Sequence, residues 1–492
     1  MPAILAIDQS TSATKAILFD PAGRILDKAA REHRQIYSQP GWVEHDAEEI
    51  WQNVLATIRE LAGRNRDTFS RLAGLSVTNQ RETIIVFERP TGRPLHPAIV
   101  WQCRRSEEIC SALRAQGCEE IVRAKTGLKI DTYFSASKLK WLIAARPDLA
   151  GKLASGEAVI STMDGYLIHR LTKGAVFATD FTNASRTLLF NIGTLAWDPE
   201  LCGLFDVPVN SLPEVRESAG HFGQTDIEGI LKTHIPIVGV MGDSQASLFA
   251  QRCFSPGMIK ATLGTGTSVL LNIGESFRQS GQGAVTALAW VWRGQPTYAF
   301  EGIINFSAAT IEWLKNQLGL IPAVADIEAL ATAVPDNAGV YLVPAFAGLS
   351  APYWSPEARA AIVGMTAHTR REHIVRAALE AIAYQIRDVL DMMRCDSGIE
   401  LKTLRADGGP TRNGFLMQFI ADIAGVEIEV SEVAESSAWG AALNGWLGLG
   451  QFQSLSELSA APLAGKIFRP VMSPGQVAKN YAGWQAAVKR IL

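Results

Sequence analysis

Asp8-Gln9-Ser10-Thr11-Ser12-Ala13-Thr14-Lys15 lies between the apolar runs Ile4 to Ile7 and Ala16 to Phe19. Two short apolar runs around a polar turn read as a pair of strands. The next turn, Asp20-Pro21-Ala22-Gly23, has a proline to preset φ and a glycine to close it, and Ile25-Leu26 opens a third strand. A helix follows: Asp46 can cap it, Glu49 stands three residues on, Ile50, Val54, Ile58 and Leu61 recur at helical spacing, and Gly63 is positioned to stop it. The order is therefore β-β-β-α. The first turn holds an acid, four hydroxyl residues and a base. Backbone N–H groups and hydroxyls there can hold phosphate oxygens, with Asp8 reaching a magnesium ion through water. A plain polar hairpin would have the same composition.

The pattern returns past the middle, where Gly264-Thr265-Gly266 separates Met258 to Leu263 from Ser268 to Ile273. Gly lets a backbone approach an anion closely, so this is a second candidate phosphate clasp. Two such turns suggest two similar domains, residues 1–247 and 248–492, with a nucleotide held between them. The second half adds a long helix with Thr369 and Glu372 in capping-box spacing and Ile374, Leu379, Ile382, Ile386 and Val389 on one face. A last helix over Gly475 to Leu492 carries a stripe of Tyr481, Trp484, Ala487 and Val488.

Over 492 residues, Lys and Arg number 46 against 49 Asp and Glu, a net charge of -3. Without a basic excess the chain is not expected to bind nucleic acid. Hydrophobic residues make up 47%, enough to bury a sizeable core. Met1 to Ile7 has no basic flank and meets Asp8 too soon for a signal peptide, so a cytoplasmic location is expected. The long uncharged stretches Ala338 to Pro356, with Gly and Pro, and Ser436 to Ser456, with Gly, Asn and Gln, read as buried segments rather than membrane spans. Cys103, Cys110, Cys118, Cys202, Cys253 and Cys395 show no Cys-x-x-Cys and no Cys/His ligand spacing, as in reduced structural thiols.

Asn79-Gln80-Arg81-Glu82-Thr83 sits at the end of the apolar run Leu72 to Val77. Arg81 and Glu82 offer donors and acceptors to a polyhydroxyl molecule, or form an ion pair; serving one ligand together requires a twist, because neighbours on a regular strand face opposite ways. Trp101 is an aromatic plate for such a ligand, or core. Asp243 follows the run Ile235 to Met241, at the carboxyl end of a strand, where it can act as general base or cap the next helix. Asp407-Gly408-Gly409-Pro410-Thr411-Arg412-Asn413 is a glycine-rich strand-to-helix turn that lacks Gly-x-Gly-x-x-Gly, which disfavours a nicotinamide dehydrogenase.

Longer strings carry a resemblance. Pro40-Gly41-Trp42-Val43-Glu44-His45-Asp46, Thr78 to Thr83, Ile99 to Arg105, Tyr133-Phe134-Ser135, Thr182 to Arg186, Ala351-Pro352-Tyr353-Trp354 and Ala360 to Glu380 resemble the FGGY carbohydrate kinases, and among them the glycerol kinases. The resemblance implies an α/β fold of two ribonuclease-H-like domains, of the actin, hexokinase and Hsp70 type, around a nucleotide cleft. It implies transfer of the γ-phosphoryl group of ATP, with Mg2+, to a terminal hydroxyl of a small polyol: glycerol, or alternatively a longer polyol or ketose of the erythritol, erythrulose, xylitol or xylulose type. A catalytically altered regulatory paralogue is a further alternative. Arg81, Glu82, Trp101, Tyr133, Asp243, Ser244 and Ser268 would line the polyol site, with Asp243 as base and Asp8 and Asp243 at the metal. Ser10, Thr11, Ser12, Lys15, Gly264, Thr265, Gly266, Ala308, Glu312, Gly408, Gly409 and Asn413 would serve the nucleotide. Members are often dimers or tetramers.

The chain departs from that pattern. Glycerol kinases usually carry glycine, arginine, glutamine and phenylalanine where Ser10, Lys15, Ser244 and Ser268 stand, and glycine, glutamine and alanine where Ala308, Glu312 and Arg412 stand. Two smaller residues at the polyol pocket leave room for a longer substrate and add a hydroxyl, and an unfilled wall forfeits contacts with glycerol. Lys15 replaces a planar fork with a point charge.

Overall fold

The computed structural model describes residues 2–432, 435–460 and 465–492, organised on two large sheets. Numbering only the strands of those sheets, the first contains β1 (Ala3–Gln9), β2 (Ala13–Phe19), β3 (Ile25–Glu32), β4 (Leu72–Asn79), β5 (His221–Thr225) and β6 (Ile235–Gly242), in the order β5-β6-β4-β1-β2-β3. The second contains β7 (Ile259–Leu263), β8 (Thr267–Gly274), β9 (Val285–Trp292), β10 (Gln295–Ile304), β11 (Thr403–Asp407), β12 (Glu427–Ser431) and β13 (Gly465–Phe468), in the order β13-β12-β11-β7-β8-β10-β9. Each sheet has an antiparallel edge, two parallel junctions, then antiparallel neighbours. The repeat hinted at by the two turns is thus a repeat of topology, with β9 added to the second copy.

Both sheets are covered on both faces, which is why β1 reads as a nearly unbroken apolar run. The outward row Leu5, Ile7 and Leu18 packs on α1 (Ala47–Arg64) through Ile50, Val54 and Ile58. In the second sheet Ile259, Ala261 and Leu263 face outward into the core that includes α4 (Arg371–Ser397) and α5 (Gly414–Ala424). Between the sheets, Ile4, Ala6, Ile17 and Phe19 of one meet Leu270, Ala289, Trp290 and Ala299 of the other through two helices. These are α2 (Asp243–Ala250), which follows β6, and α6 (Ser436–Gly448), which follows β12, so they occupy equivalent places in the two halves. They cross in backbone contact: a Cβ on Gly440 would lie 1.8 Å from the Ala246 carbonyl oxygen. A smaller four-stranded sheet, Glu44–His45, Ala98–Ile99, Ile84–Glu88 and Ala158–Thr162, branches from the first half with its own core.

Local signals held in part. Asp46 caps α1, its carboxylate accepting from the N–H groups of Glu48 and Glu49, but the Glu49 carboxylate is drawn off to Arg34. Gly63 does not stop α1, which runs on to Arg64; one exposed glycine in a last turn costs only about 1 kcal/mol. Thr369 does not cap α4 either. Its hydroxyl accepts from the Thr366 N–H in a preceding turn, and α4 starts at Arg371 with His373 Nδ1 accepting from the Arg370 N–H. The stretch Ala338 to Pro356 includes a short strand, Tyr341–Val343, and Ser436 to Ser456 includes α6. Among the described residues no helix is long and apolar enough to cross a membrane.

The C-terminal stripe lies on α7 (Pro474–Val488), shorter than expected by four residues at its end. Asp388 of α4 accepts there from Tyr481 Oη at 2.6 Å, Trp484 Nε1 at 2.7 Å and Tyr353 Oη at 3.0 Å. Burial raises the Asp388 carboxyl to about 6 despite these donors. An unfolded aspartate titrates near 3.9, so the folded state holds the proton more tightly and stability falls as pH rises from about 4 to 6. Chemical denaturation across that window is expected to show this slope, and to show it flattened in Asp388→Asn, whose amide oxygen can still accept from Trp484 and Tyr353 and whose Nδ2 can donate to the Tyr481 Oη. The helix crossing yields a second expectation. Gly440→Ala forces α2 and α6 apart and lowers stability by about 2 kcal/mol or more, whereas Gly475→Ala, with open space around the new methyl, changes it by less than about 0.5 kcal/mol.

Candidate active site

The period of two along a strand carries the inward apolar rows directly into a polar cluster. Ile4 and Ala6 are followed on the same face by Asp8, Phe19 and Ile17 are preceded by Lys15, Leu270 is preceded by Ser268, and Ala299 is followed by Glu301. All lie beyond the N-termini of α2 and α6. Asp8 pairs across the hairpin with Lys15. The Lys15 ammonium lies 3.6 Å from Asp8 and 2.5 Å from Glu435, which also meets Lys28 at 3.2 Å. Burial pushes the Asp8 carboxyl up to about 6 against the pull of Lys15, with Glu435 and Asp243 adding to the rise.

Asn79 ends β4, and the chain then leaves the first sheet for the smaller one at Ile84. Glu82 at the break has φ 62°, a left-handed conformation uncommon outside glycine. It supplies the twist that lets adjacent side chains serve one place. Arg81 Nε lies 3.3 Å from Asp243 Oδ1 and 3.9 Å from Glu82, while Nη1 donates to Gln245 and Nη2 to Glu301 at 2.7 Å. Arg186 Nε donates to Glu82 at 2.6 Å, and its Nη1 approaches the second Glu301 oxygen at 2.7 Å, off the hydrogen-bonding axis. Two guanidiniums and two carboxylates form a neutral, buried box. Burial works against Glu301, yet Arg186 and Arg81 outweigh it and hold that carboxyl at about 2. At Glu82 burial prevails over Arg81 and Arg186 and the carboxyl stays above its ordinary value.

Asp243 is the first residue of α2 and is 38% exposed at its side chain. Its Oδ1 accepts from the Ser244 N–H at 2.6 Å and faces Arg81; the N-cap of α2 is Gly242, without a side-chain cap bond, so Asp243 is a member of the cluster rather than the cap. Trp101 and Tyr133 stand together with ring centroids 5.1 Å apart. The Trp101 indole N–H donates to Thr11 Oγ1 at 3.0 Å, tying this aromatic wall to the first turn. Tyr133 is held by Lys138, a fully buried lysine whose ammonium bonds the carbonyls of Thr132, Tyr133 and Phe134. Ser244 is half-buried. Ser268 is partly exposed, but its Oγ is buried without a partner; the expected extra hydroxyl is turned away from the open side, and what remains is a smaller wall.

The two turns have equal length, Ser10 to Ser12 and Gly264 to Gly266. Ser10 closes the first, its Oγ donating to the Ala13 carbonyl, and Ser12 is exposed. The Gly264 and Thr265 carbonyls of the second accept from the N–H groups of Ser307, Ala308 and Ala309, fixing the start of α3 (Ala308–Asn316) beside it. Glu312 lies exposed on α3. Gly408 has φ 101°, and a Cβ there would stand 1.9 Å from the Leu263 carbonyl oxygen, so the Gly408-Gly409 turn lies against the second clasp. Asn413 caps α5 through Oδ1 and leaves its Nδ2 buried without a partner.

Sequence reasoning missed Arg186, Gln245, Glu301, Glu435, Lys138 and Lys260. Lys260 lies buried on β7, its ammonium held below the ordinary value by burial with Asp407 as the largest opposing influence. Acids and bases inside otherwise apolar strands, Lys260 and Glu301, were the available signal. Among the described residues no group of three or more His, Cys, Asp or Glu is placed to hold a metal, and the six cysteines are free thiols.

Residues 3–250 match the N-terminal domain, and residues 259–448 the C-terminal domain, of the FGGY family of carbohydrate kinases. A glycerol kinase of Desulfitobacterium hafniense is 46% identical over 489 residues, covering 99% of each chain. One from Shewanella sp. (strain ANA-3) is 47% identical over 487 residues, covering 99% of this chain and 98% of its own. The crystal structure of Plasmodium falciparum glycerol kinase with ADP is 38% identical and matches with a TM-score of 0.95 over 100% of this chain and 98% of that one. Xylulose kinase from Lactobacillus acidophilus, 21% identical with a TM-score of 0.89 and covering 99% and 97%, shares the fold. With both domains matched in order and relatives aligned end to end, the chain belongs to the FGGY family of carbohydrate kinases.

Proposed function

We propose that the protein transfers the γ-phosphoryl group of ATP to a terminal hydroxyl of a small polyol, with glycerol as the first candidate, as the names of its full-length relatives suggest. The polyol falls to the first domain, residues 1–247, and the nucleotide to the second, 248–492. The observation that carries this reading is Asp243. One of its carboxylate oxygens is occupied by the Ser244 N–H and faces Arg81, while the side chain remains exposed beside the neutral arginine and glutamate box. The other oxygen can accept the proton of a substrate hydroxyl as that oxygen bonds to the γ-phosphorus and the bond to the ADP oxygen breaks. Arg81 retains donors on both terminal nitrogens for neighbouring hydroxyls, Glu82 can accept from them, and the Trp101 and Tyr133 rings form the apolar wall. Ser10, Thr11, Ser12, Gly264, Thr265 and Gly266 supply phosphate donors, and Ala308, Glu312, Gly408, Gly409 and Asn413 surround the rest of the nucleotide.

Asp8 and Asp243 suit magnesium, which takes one or two carboxylates and otherwise keeps water and phosphate oxygens. When bound, it neutralises charge on the phosphates. The buried Nδ2 of Asn413, lacking a partner in the protein, fits a nucleotide acceptor.

Asp243→Asn is expected to lower kcat by about 10²- to 10⁴-fold in an ADP-release assay while leaving nucleotide affinity within about threefold; near-normal turnover would exclude the base assignment. The small Ser244 and Ser268 support a second reading, a substrate longer than glycerol. Comparing kcat/KM for glycerol, erythritol, xylitol, dihydroxyacetone, erythrulose and xylulose separates the two. If the small side chain at Ser268 selects chain length, Ser268→Phe shifts the ratio toward glycerol by about tenfold, equivalent to about 1.4 kcal/mol; an unchanged ratio removes Ser268 from substrate choice.

A further inference from the structure

Asp243, Ser247 and Gln251 follow one another at intervals of four along α2, so they share a face. That face is gripped by β11. Asp407 Oδ2 accepts from Ser247 Oγ at 2.9 Å and from Gln251 Nε2 at 3.2 Å. Two residues back on the same face of β11, Arg405 donates to the carbonyls of Gln251 and Arg252 at the end of α2 and is itself held by Glu429 at 2.7 Å. Apart from Asp243, none of these groups lies in the polyol wall or the phosphate turns. Asp407 is buried, and its Oδ1 has no partner.

The next residue after Asp407 is Gly408, whose turn is pressed on Leu263 at the second clasp and leads through Asn413 into α5. The chain therefore runs without a gap from the nucleotide turn, through one buried carboxylate, to the middle of the helix whose first residue is Asp243. A helix is stiff over the single turn between Ser247 and Asp243, so a displacement at Asp407 is delivered to the Asp243 carboxylate rather than absorbed.

We propose that Asp407 is a positioning residue that couples the nucleotide turn to the helix carrying Asp243, so that nucleotide and polyol tighten each other's binding through this carboxylate. The inference rests on the kinase reading given above. Linkage makes the coupling measurable from either ligand, and couplings of this kind usually amount to about fivefold or more. Calorimetric titration of the full chain with glycerol, alone and with a magnesium complex of a non-hydrolysable ATP analogue, gives the ratio directly. The wild-type ratio is expected to exceed about five, and Asp407→Ala to bring it near one with glycerol affinity in the absence of nucleotide changed less than about twofold. Ser247→Ala, which leaves the carboxylate in place and perturbs folding less, should lower the ratio in the same direction, and the double variant should be no worse than Asp407→Ala alone. A wild-type ratio in either single variant, additive effects in the double, or a ratio of one in the wild-type protein overturns the coupling role. Failure of the wild-type protein to bind either ligand would instead be the failure of the kinase reading, and takes this inference with it.

Discussion

Backbone touches backbone where α2 crosses α6, and the separation of the two sheets follows from that contact. With Gly440 against the Ala246 carbonyl and Gly445 against Ser76, the helices cannot lie deeper or shallower without a clash, and a packed interior resists expansion as well. The first sheet's inward apolar row is then covered by α6, while α2 reaches both sheets. The rows run out at the helix N-termini, where the same strands deliver Asp8, Lys15, Ser268 and Glu301. The polar cleft is thus placed by the length of two helices rather than by its own contacts.

Charge balance does the rest. Arg81 and Arg186 would be costly to bury alone, as would Glu82 and Glu301, and removing one member of such a set leaves an uncompensated charge. Three of the four come from the first half and Glu301 from the second, so the box is complete only when the halves are packed together. That arrangement makes the box a reporter of correct assembly. It also keeps Asp243 beside a guanidinium already committed to two glutamates, so that the aspartate's free oxygen stays available to a ligand.

The hairpins, the first helix and both glycine turns were legible because each is a local pattern, readable over a handful of residues. Arg81, Glu82, Trp101, Tyr133 and Asp243 were singled out as candidates from local strings, and the structure places them near one another. What stayed hidden was relational. Arg186 stands 104 residues from Glu82, and Glu301 220 residues from Arg81, and nothing in a strand that reads Tyr-Ala-Phe-Glu-Gly says which guanidinium the acid will meet. The φ of Glu82 was required by the chemistry but not written in its side chain. Lys138 follows Ser137 on a helix, and only the three carbonyls that its ammonium bonds explain its burial. Thr369 failed as a cap because its hydroxyl is taken by the Thr366 N–H in the preceding turn, and the helix begins two residues later.

Lys15 shows how the same residues can hold the cleft ready without blocking it. Its ammonium is shared between Asp8 and Glu435, and Glu435, left-handed at φ 61° at the head of α6, is shared in turn between Lys15 and Lys28. Lys28 remains to satisfy that glutamate if Lys15 turns away. A lysine suits the exchange better than an arginine would. A point charge on a flexible stem moves between acceptors with little geometric loss, whereas a planar fork is fixed by the pair of oxygens it already holds.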